Sequence, residues 1–288
     1  MIMNNLNIGF IGFGLIGGSI ARSLKQANPN HHIIVTSRSL APLKQAKEDG
    51  IVDQICEDTD QTFSQCDFIF LCTPVVTITK YLRQLKNIVK DGCIITDVGS
   101  VKGTIHEAVH SLNMEDCFIG GHPMTGSELS GYANSSSEIM VGAKYVITPT
   151  CKTTREQLDA YMQLIRIMKS EPVIMDYRQH DYTVAGISHI PHITSACLAK
   201  LVEESDDDAH DMHLLAAGGF KDTTRIASSS PEMWEQICQT NSDAITDILS
   251  RYITLLTDIR DNISNQTENY VYNLFKESGK YRNTFTDQ

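Results

Sequence analysis

The chain has no paired cysteine motif. Its eight cysteines fall singly at positions 56, 66, 72, 93, 117, 151, 197 and 238, and none forms C-x-x-C. That excludes a zinc or disulfide framework and fits reduced, mostly buried thiols in a cytoplasmic protein. Positive charge is scarce: 24 Lys and Arg stand against 35 Asp and Glu, for a net charge of −11. A nucleic-acid partner, which demands a basic face, is excluded, and so is steering toward anionic membranes. An anionic ligand would need cations supplied locally by its pocket. No uninterrupted apolar run is long enough to span a bilayer. The opening Met1-Ile2-Met3-Asn4-Asn5 lacks the charged and apolar regions of a secretory leader. Internal repeats and low-complexity tracts are missing too.

What is there is a globular composition, 41% hydrophobic and 20% charged over 288 residues, enough for two domains. From residue 6 to about residue 175, apolar strand-like runs (6–11, 32–36, 68–73, 93–98, 117–120, 145–148 and 173–175) alternate with helical patterns (15–27, 78–89, 102–111 and 154–168). Such alternation predicts a doubly wound parallel sheet covered by helices on both faces. Past Gln179 the strand signal fades and helical stretches take over, at 184–201 and 232–260. The expected division is an α/β nucleotide domain over residues 1–176 and an all-α domain over residues 177–288. The acidic run Glu203-Glu204-Ser205-Asp206-Asp207-Asp208 reads as a solvated inter-helix loop. The tail from residue 270 has little periodicity and is expected to fray.

The most informative stretch is Ile8-Gly9-Phe10-Ile11-Gly12-Phe13-Gly14-Leu15-Ile16-Gly17-Gly18-Ser19, an apolar strand followed by G-x-G-x-x-G and an apolar helix. In that context Gly12 makes the tight turn, Gly14 lets the backbone approach a pyrophosphate, and Gly17 lets helix and strand close together. The first helical N–H groups then face a phosphate. The stretch therefore reads as a Rossmann-type dinucleotide site. The adenosine-ribose contact is expected about 20 residues on, where an acid selects NAD. Here the second strand ends in Ser37-Arg38-Ser39, with no acid. An acid would repel a 2′-phosphate, whereas Arg38 can pair with one and the serines can donate to it. NADP is therefore expected over NAD; a merely solvated Arg38 is the alternative.

Ligands of open α/β sheets bind beyond the carboxyl ends of the strands. Three such loops are expected to meet near the nicotinamide: Cys72-Thr73-Pro74, Asp97-Val98-Gly99-Ser100-Val101-Lys102, and Gly121-His122-Pro123-Met124-Thr125-Gly126-Ser127-Glu128. His122, stiffened by Pro123, is the candidate acid–base group, since imidazole titrates near neutrality; a capping or core histidine is the alternative. Ser100 could orient His122 or a substrate alcohol, or cap the following helix. In the helical part, Ser188-His189-Ile190-Pro191-His192 places two histidines three apart on one face. One is expected to line the pocket and the other to be structural. A metal with His210 or His213 is disfavoured, because the carboxylate and spacing of a zinc signature are missing. In Gly218-Gly219-Phe220-Lys221-Asp222-Thr223-Thr224-Arg225 the glycine pair permits a sharp turn. Lys221 and Arg225, four apart, could share a helix face and meet an anionic substrate, or be surface charges paired with neighbouring acids.

Taken together these motifs resemble the prephenate/arogenate (cyclohexadienyl) dehydrogenases of tyrosine biosynthesis. The resemblance rests on Gly12 to Ser19, Leu71-Cys72-Thr73-Pro74, Thr96 to Lys102, Gly120-Gly121-His122-Pro123-Met124-Thr125-Gly126, Ile187 to His192, and Gly218 to Ala227, in the family's order over about residues 6–260. It implies oxidative decarboxylation of a cyclohexadienol, with hydride passing from C4 to NADP or NAD and CO₂ leaving C1. By the same resemblance His122 accepts the hydroxyl proton, and Ser100 orients His122 and the alcohol. Arg225 grips the ring carboxylate, while His192, His189, Lys221, Ser127 and Glu128 complete the substrate site. The cofactor contacts implied are Gly12, Phe13, Gly14, Leu15, Ile16 and Gly17, then Ser37, Arg38 and Ser39, Cys72, Thr73 and Pro74, and Asp97, Val98 and Gly99. A homodimer through the helical domain, with apolar positions of 237–259 at its interface, is implied as well. So is the absence of a chorismate mutase segment before the first strand and of a regulatory domain after the helices. Prephenate is favoured over arogenate. A β-hydroxyacid dehydrogenase and a non-catalytic NADP-binding regulator are the more distant rivals.

Overall fold

A computed structural model describes residues 5–126 and 129–285. Strands β1 (Asn7–Ile11), β2 (His32–Thr36), β3 (Gln54–Ile55), β4 (Phe68–Leu71) and β5 (Ile94–Asp97) form a parallel sheet in the order β3-β2-β1-β4-β5. Their apolar runs are nearly continuous because both faces are covered. Ile8, Phe10, Ile33, Val35, Phe68 and Phe70 point to a core shared with helices α1 (Leu15–Ala27) and α2 (Leu40–Glu48). The alternate residues Ile11, Ile34, Ile69, Leu71 and Ile95 point to a second core under α3 (Val75–Leu85) and α4 (Gly103–Ser111). The sheet order reverses direction between β1 and β4, the position at which such sheets open a ligand crevice.

A second sheet of β6 (Ile119–Pro123), β7 (Lys144–Pro149) and β8 (Glu171–Ile174) extends the first through one bridge, Ile95 to Phe118. The first sheet is parallel as expected, while the β6–β7 pairing at this edge is antiparallel. Among the described residues only short 3₁₀ turns separate those two strands, and a parallel return would need a crossover helix. Helix α5 (Arg155–Ile167) packs Leu164 and Ile165 onto the first core and starts with a Thr154–Gln157 capping box.

The helical part holds α6 (Tyr177–Val184), a π-helical turn (Ala185–His189), α7 (Ile190–Ser205), α8 (Asp211–Leu215), α9 (Gly218–Thr224), α10 (Pro231–Thr240), α11 (Ser242–Ser264) and α12 (Tyr270–Arg282). Its core is small: Ala185, Ile190, Ile237 and Ile245, joined by Val101 from the nucleotide part. Helix α11 buries only Ile245 and leaves Ile253, Leu255, Leu256 and Ile263 exposed. Residues Tyr270–Arg282 of the tail form α12, where little periodicity was expected, and α12 too exposes apolar side chains, with Phe275 at 73%.

Candidate active site

The glycine motif closes the β1–α1 turn tightly. Gly12 has φ +87°, and a Cβ there would stand 2.5 Å from the Cys72 carbonyl oxygen. A Cβ at Gly17 would stand 3.1–3.2 Å from Gly12 O and the Cys72 side chain. Around Gly14, by contrast, a Cβ would meet nothing within 4 Å. The α1 N-terminus that follows has no side-chain cap and no acid in its first turn. Thr73 Oγ1, beside Gly12, is buried without a hydrogen-bond partner among the described residues. Open backbone, uncapped N–H groups and an orphaned hydroxyl fit a dinucleotide pyrophosphate. The Phe13 ring is not available to it, being 5% exposed and stacked on Tyr132 at 5.4 Å; only the backbone of Phe13 can serve. Leu15 and Ile16 open α1, and Ser37, Arg38 and Ser39 follow the end of β2, with Arg38 exposed.

The β5 and β6 ends are held together by a buried ion pair. Asp97 and Lys102 are both fully buried and in direct contact. Asp97 also accepts hydrogen bonds from Gly99 N (2.8 Å) and Gly121 N (3.2 Å), while Lys102 Nζ donates to Gly121 O at 2.7 Å. The Asp97 carboxylate is thus turned inward, engaged by Lys102 and two backbone N–H groups, rather than presented to a cofactor as expected. A Cβ at Gly121 would stand 2.4 Å from the Tyr161 hydroxyl, so only glycine lets β6 lie this close. Val98 and Gly99 continue the loop toward Ser100, and Pro74 leads into α3.

One residue beyond Gly121, the half-buried His122 sets its Nδ1 2.8 Å from Nε2 of His180 in α6. His180 in turn sets its Nδ1 2.8 Å from the Asp181 carboxylate. Asp181 accepts from Lys102 N (2.8 Å) and Gly103 N (2.7 Å), so it caps α4 from the helical part. Burial pushes His122 well below the usual imidazole range, and neighbouring His180, Lys102 and His189 push the same way. The ring is thus neutral near pH 7, the form a base requires. Burial also lowers His180, although Asp181 pulls against it.

Ser100 neither caps α4 nor bonds His122 among the described residues, and its expected contact with a substrate alcohol stays open. Asp181 has taken the α4 N-terminus and His180 has taken Nδ1 of His122, so the Ser100 hydroxyl has no partner among the described residues. It remains available to a ligand. His189 is corrected from the pocket to the core: it is 1% exposed, receives the Asn241 amide at 3.2 Å, and meets Trp234 edge-on. Burial lowers its pKa to about 4. His192 is only partly buried, stacks on Trp234 at 4.2 Å, and donates Nδ1–H to Ser188 O at 2.8 Å. Its Nε2 is left as the acceptor. Gly218 and Gly219 open α9 instead of making a turn. Lys221 lies in α9, whereas Arg225 starts the next 3₁₀ turn, so they do not share one helix; both are exposed. Ser127 and Glu128 lie outside the described residues. Among the described residues, no three His, Cys, Asp or Glu side chains gather as a metal would need.

Sequence reasoning missed Lys102, His180, Asp181 and Asn241. His180 and Asp181 sit in a polar helix with no motif around them, and their partners lie 58 and 79 residues away. The one available signal was Lys102 itself, a charge embedded in a strand-end loop.

Family models describe the same division of parts. Residues 20–173 match "Prephenate dehydrogenase, nucleotide-binding domain", and residues 176–277 match "Prephenate dehydrogenase, dimerization domain". The chain belongs to the prephenate dehydrogenase family. A prephenate dehydrogenase of Bacillus subtilis is 33% identical over 273 residues, covering 94% of this chain and 74% of that protein. The structure of Synechocystis arogenate dehydrogenase matches with a TM-score of 0.85 at 32% identity, over 98% of this chain and all of that one. Prephenate dehydrogenase from A. aeolicus, solved with hydroxyphenyl propionate and NAD+, matches with a TM-score of 0.90 at 28% identity, over 98% of this chain and 99% of that one. As a family member the chain is a nicotinamide-dependent dehydrogenase. No helix among the described residues is long and apolar enough to cross a membrane.

Proposed function

We propose that this member of the family oxidatively decarboxylates prephenate to 4-hydroxyphenylpyruvate, within a nucleotide domain of residues 1–176 and a helical domain of residues 177–288. The observation that carries the reading is a neutral imidazole, His122, anchored at a strand end of the nucleotide fold. A nicotinamide held by the β1–α1 turn would supply the acceptor for the hydride leaving C4. His122 takes the C4 hydroxyl proton and returns it to the phenolate after CO₂ departs. Ser100 hydrogen-bonds the same hydroxyl. Arg225 holds the ring carboxylate through its planar fork. His192, through its open Nε2, and Lys221 hold the remainder of the substrate, with Ser127 and Glu128 beside them. The chain's own contribution is mostly alignment, because aromatisation supplies the driving force.

NADP is the proposed cofactor, supported by the exposed Arg38 and the lack of an acid at 37–39. A homodimer is supported by the exposed apolar faces of α11 and α12, which a second copy would cover. A cytoplasmic setting is supported by eight unpaired thiols. Arogenate is the second reading, favoured by the likeness to the Synechocystis enzyme.

A spectrophotometric assay of prephenate and arogenate with each of NADP and NAD tests the proposal. Turnover is expected to be highest with prephenate and NADP. His122→Gln should lower kcat by roughly 10²–10⁴-fold and leave cofactor binding nearly unchanged. Full activity in that variant, or no turnover with either substrate, would overturn the reading.

A further inference from the structure

We propose that His180 and Asp181 are positioning residues that fix the tautomer of His122, keeping its hydrogen on Nδ1 and its lone pair on Nε2. The inference rests on the reading of His122 as the base. It follows from counting donors along the chain of contacts. The Asp181 carboxylate faces three N–H positions, Lys102 N, Gly103 N and His180 Nδ1, at 2.7–2.8 Å. A carboxylate in that setting only accepts, so neutral His180 must carry its hydrogen on Nδ1 and a lone pair on Nε2. That lone pair lies 2.8 Å from His122 Nδ1. Two lone pairs cannot face each other at this distance, so His122 must donate from Nδ1. Its Nε2 is then bare.

The opposite arrangement needs a protonated His180 donating to His122, and the surroundings oppose it. His180 is fully buried, and the Lys102 ammonium lies against the same cluster from the loop before α4. Asp181 from the same helix and Asp97 from β5 favour the charged ring, but burial outweighs them. His122 faces His180, Lys102 and, from the π-helical turn, His189, none of which favours an added charge. In the reaction, one proton leaves the substrate oxygen and forms the Nε2–H bond of His122. The new imidazolium is met by the His180 lone pair, whose ring is held by Asp181. No second proton moves, so the two groups act by position and electrostatics.

The arrangement also joins two parts of the chain. Asp181 caps α4 with the same carboxylate that orients His180. Asn241 donates from its amide to the Asp181 backbone oxygen at 2.9 Å, bracing α6 from the turn between α10 and α11.

The test is ¹⁵N NMR of the full chain labelled at histidine, without substrate, above about pH 7, where unperturbed imidazoles are neutral. The His122 signals are assigned by their loss in His122→Gln. Wild type is expected to show His122 protonated on Nδ1, and His180→Phe to move it toward the Nε2–H form. In the same variant kcat should fall roughly 10–100-fold, as when the outer partner of a functional histidine is removed. KM for the cofactor should stay unchanged, while the acidic limb of the pH profile should shift from its wild-type position. His180→Gln, whose amide oxygen can accept from Nδ1–H, should recover part of the loss. A wild-type His122 protonated on Nε2 overturns the inference, and so does a folded His180→Phe with wild-type kcat and pH profile. If His180→Phe fails to fold, the wild-type tautomer alone decides. Undiminished turnover in His122→Gln would remove the base reading instead, and the NMR result would still judge the tautomer.

Discussion

Arg38 projects past β2 into solvent, with Ser37 and Ser39 on either side and no ion-pair partner among the described residues. A guanidinium in that position costs nothing to the fold if removed, so its substitution isolates a ligand effect. Bound to a 2′-phosphate it would form charge-assisted hydrogen bonds, the strong class. Exposure weakens them, and a loss of about tenfold is the reasonable magnitude. Arg38→Ala is therefore expected to reduce kcat/KM with NADP about tenfold and to leave NAD kinetics little changed. Equal effects on the two cofactors would remove the argument from the strand tip. Asp97 teaches the opposite lesson at the same scale. Its place at a strand end resembles a ligand position, yet Lys102 and two backbone N–H groups consume its oxygens. Position at the rim nominates a residue, and only its partners decide whether it faces outward.

Two helical glycines make opposite demands on their elements. In an ordinary helix Gly→Ala stabilises by roughly 0.5–1 kcal/mol. Gly279 in α12 has open space where a Cβ would go, so Gly279→Ala should raise stability by about that much. At Gly103, the first residue of α4, a Cβ would stand 2.9 Å from Asp181 Oδ2. There Gly103→Ala should push the cap away and cost about 1–3 kcal/mol net despite better propensity. Denaturant melts of both variants check the pair, and stabilisation at both positions would show that Asp181 gives way freely. The same elements mark how far sequence reading reaches. The β1–turn–α1 unit was legible to its boundaries at residues 15–27, because glycines and apolar periodicity agree there. Helix α2 was not, since it buries only Leu43 and Ala46 and carries a proline in its first turn. Strand β3 has only two residues, too few for a pattern. The apolar period of 184–201 hid the π-helical turn at Ala185–His189. His122 was legible from its loop, but its partner His180 was not. Nothing local to a polar helix announces a contact made across 58 residues.

The junction between the nucleotide and helical parts is built largely from neutral imidazoles, and that gives the whole molecule a defined response to acid. His106 in α4 stacks on Tyr177 of α6 at 4.4 Å and bonds Thr148 at 2.8 Å. His122 meets His180, and His189 meets Asn241. Burial lowers His106 and His189 to about 4, and it lowers His122 and His180 as well. In the unfolded chain these rings titrate near 6.5. Between about pH 6.5 and pH 4 the unfolded state therefore binds more protons, and stability must rise with pH across that window. The contribution is fully present above the unfolded value and is lost as pH falls through the folded one. For His106 and His189, which are 7% and 1% exposed, the loss reaches on the order of 3 kcal/mol each at the acid end. That is a large share of the stability of an ordinary domain. Carboxylates held below their usual values, such as Asp49 and Glu115, lose their contribution only at still lower pH, so they do not confuse the upper part of the window. Thermal melts at about pH 7 and about pH 5 should show a clear fall in Tm at the lower value. His106→Leu, which replaces a ring that must stay uncharged with one that cannot be charged, should flatten that dependence even if it lowers Tm at neutral pH. A Tm that does not change between the two conditions would mean that the rings at the junction take up protons without leaving the fold.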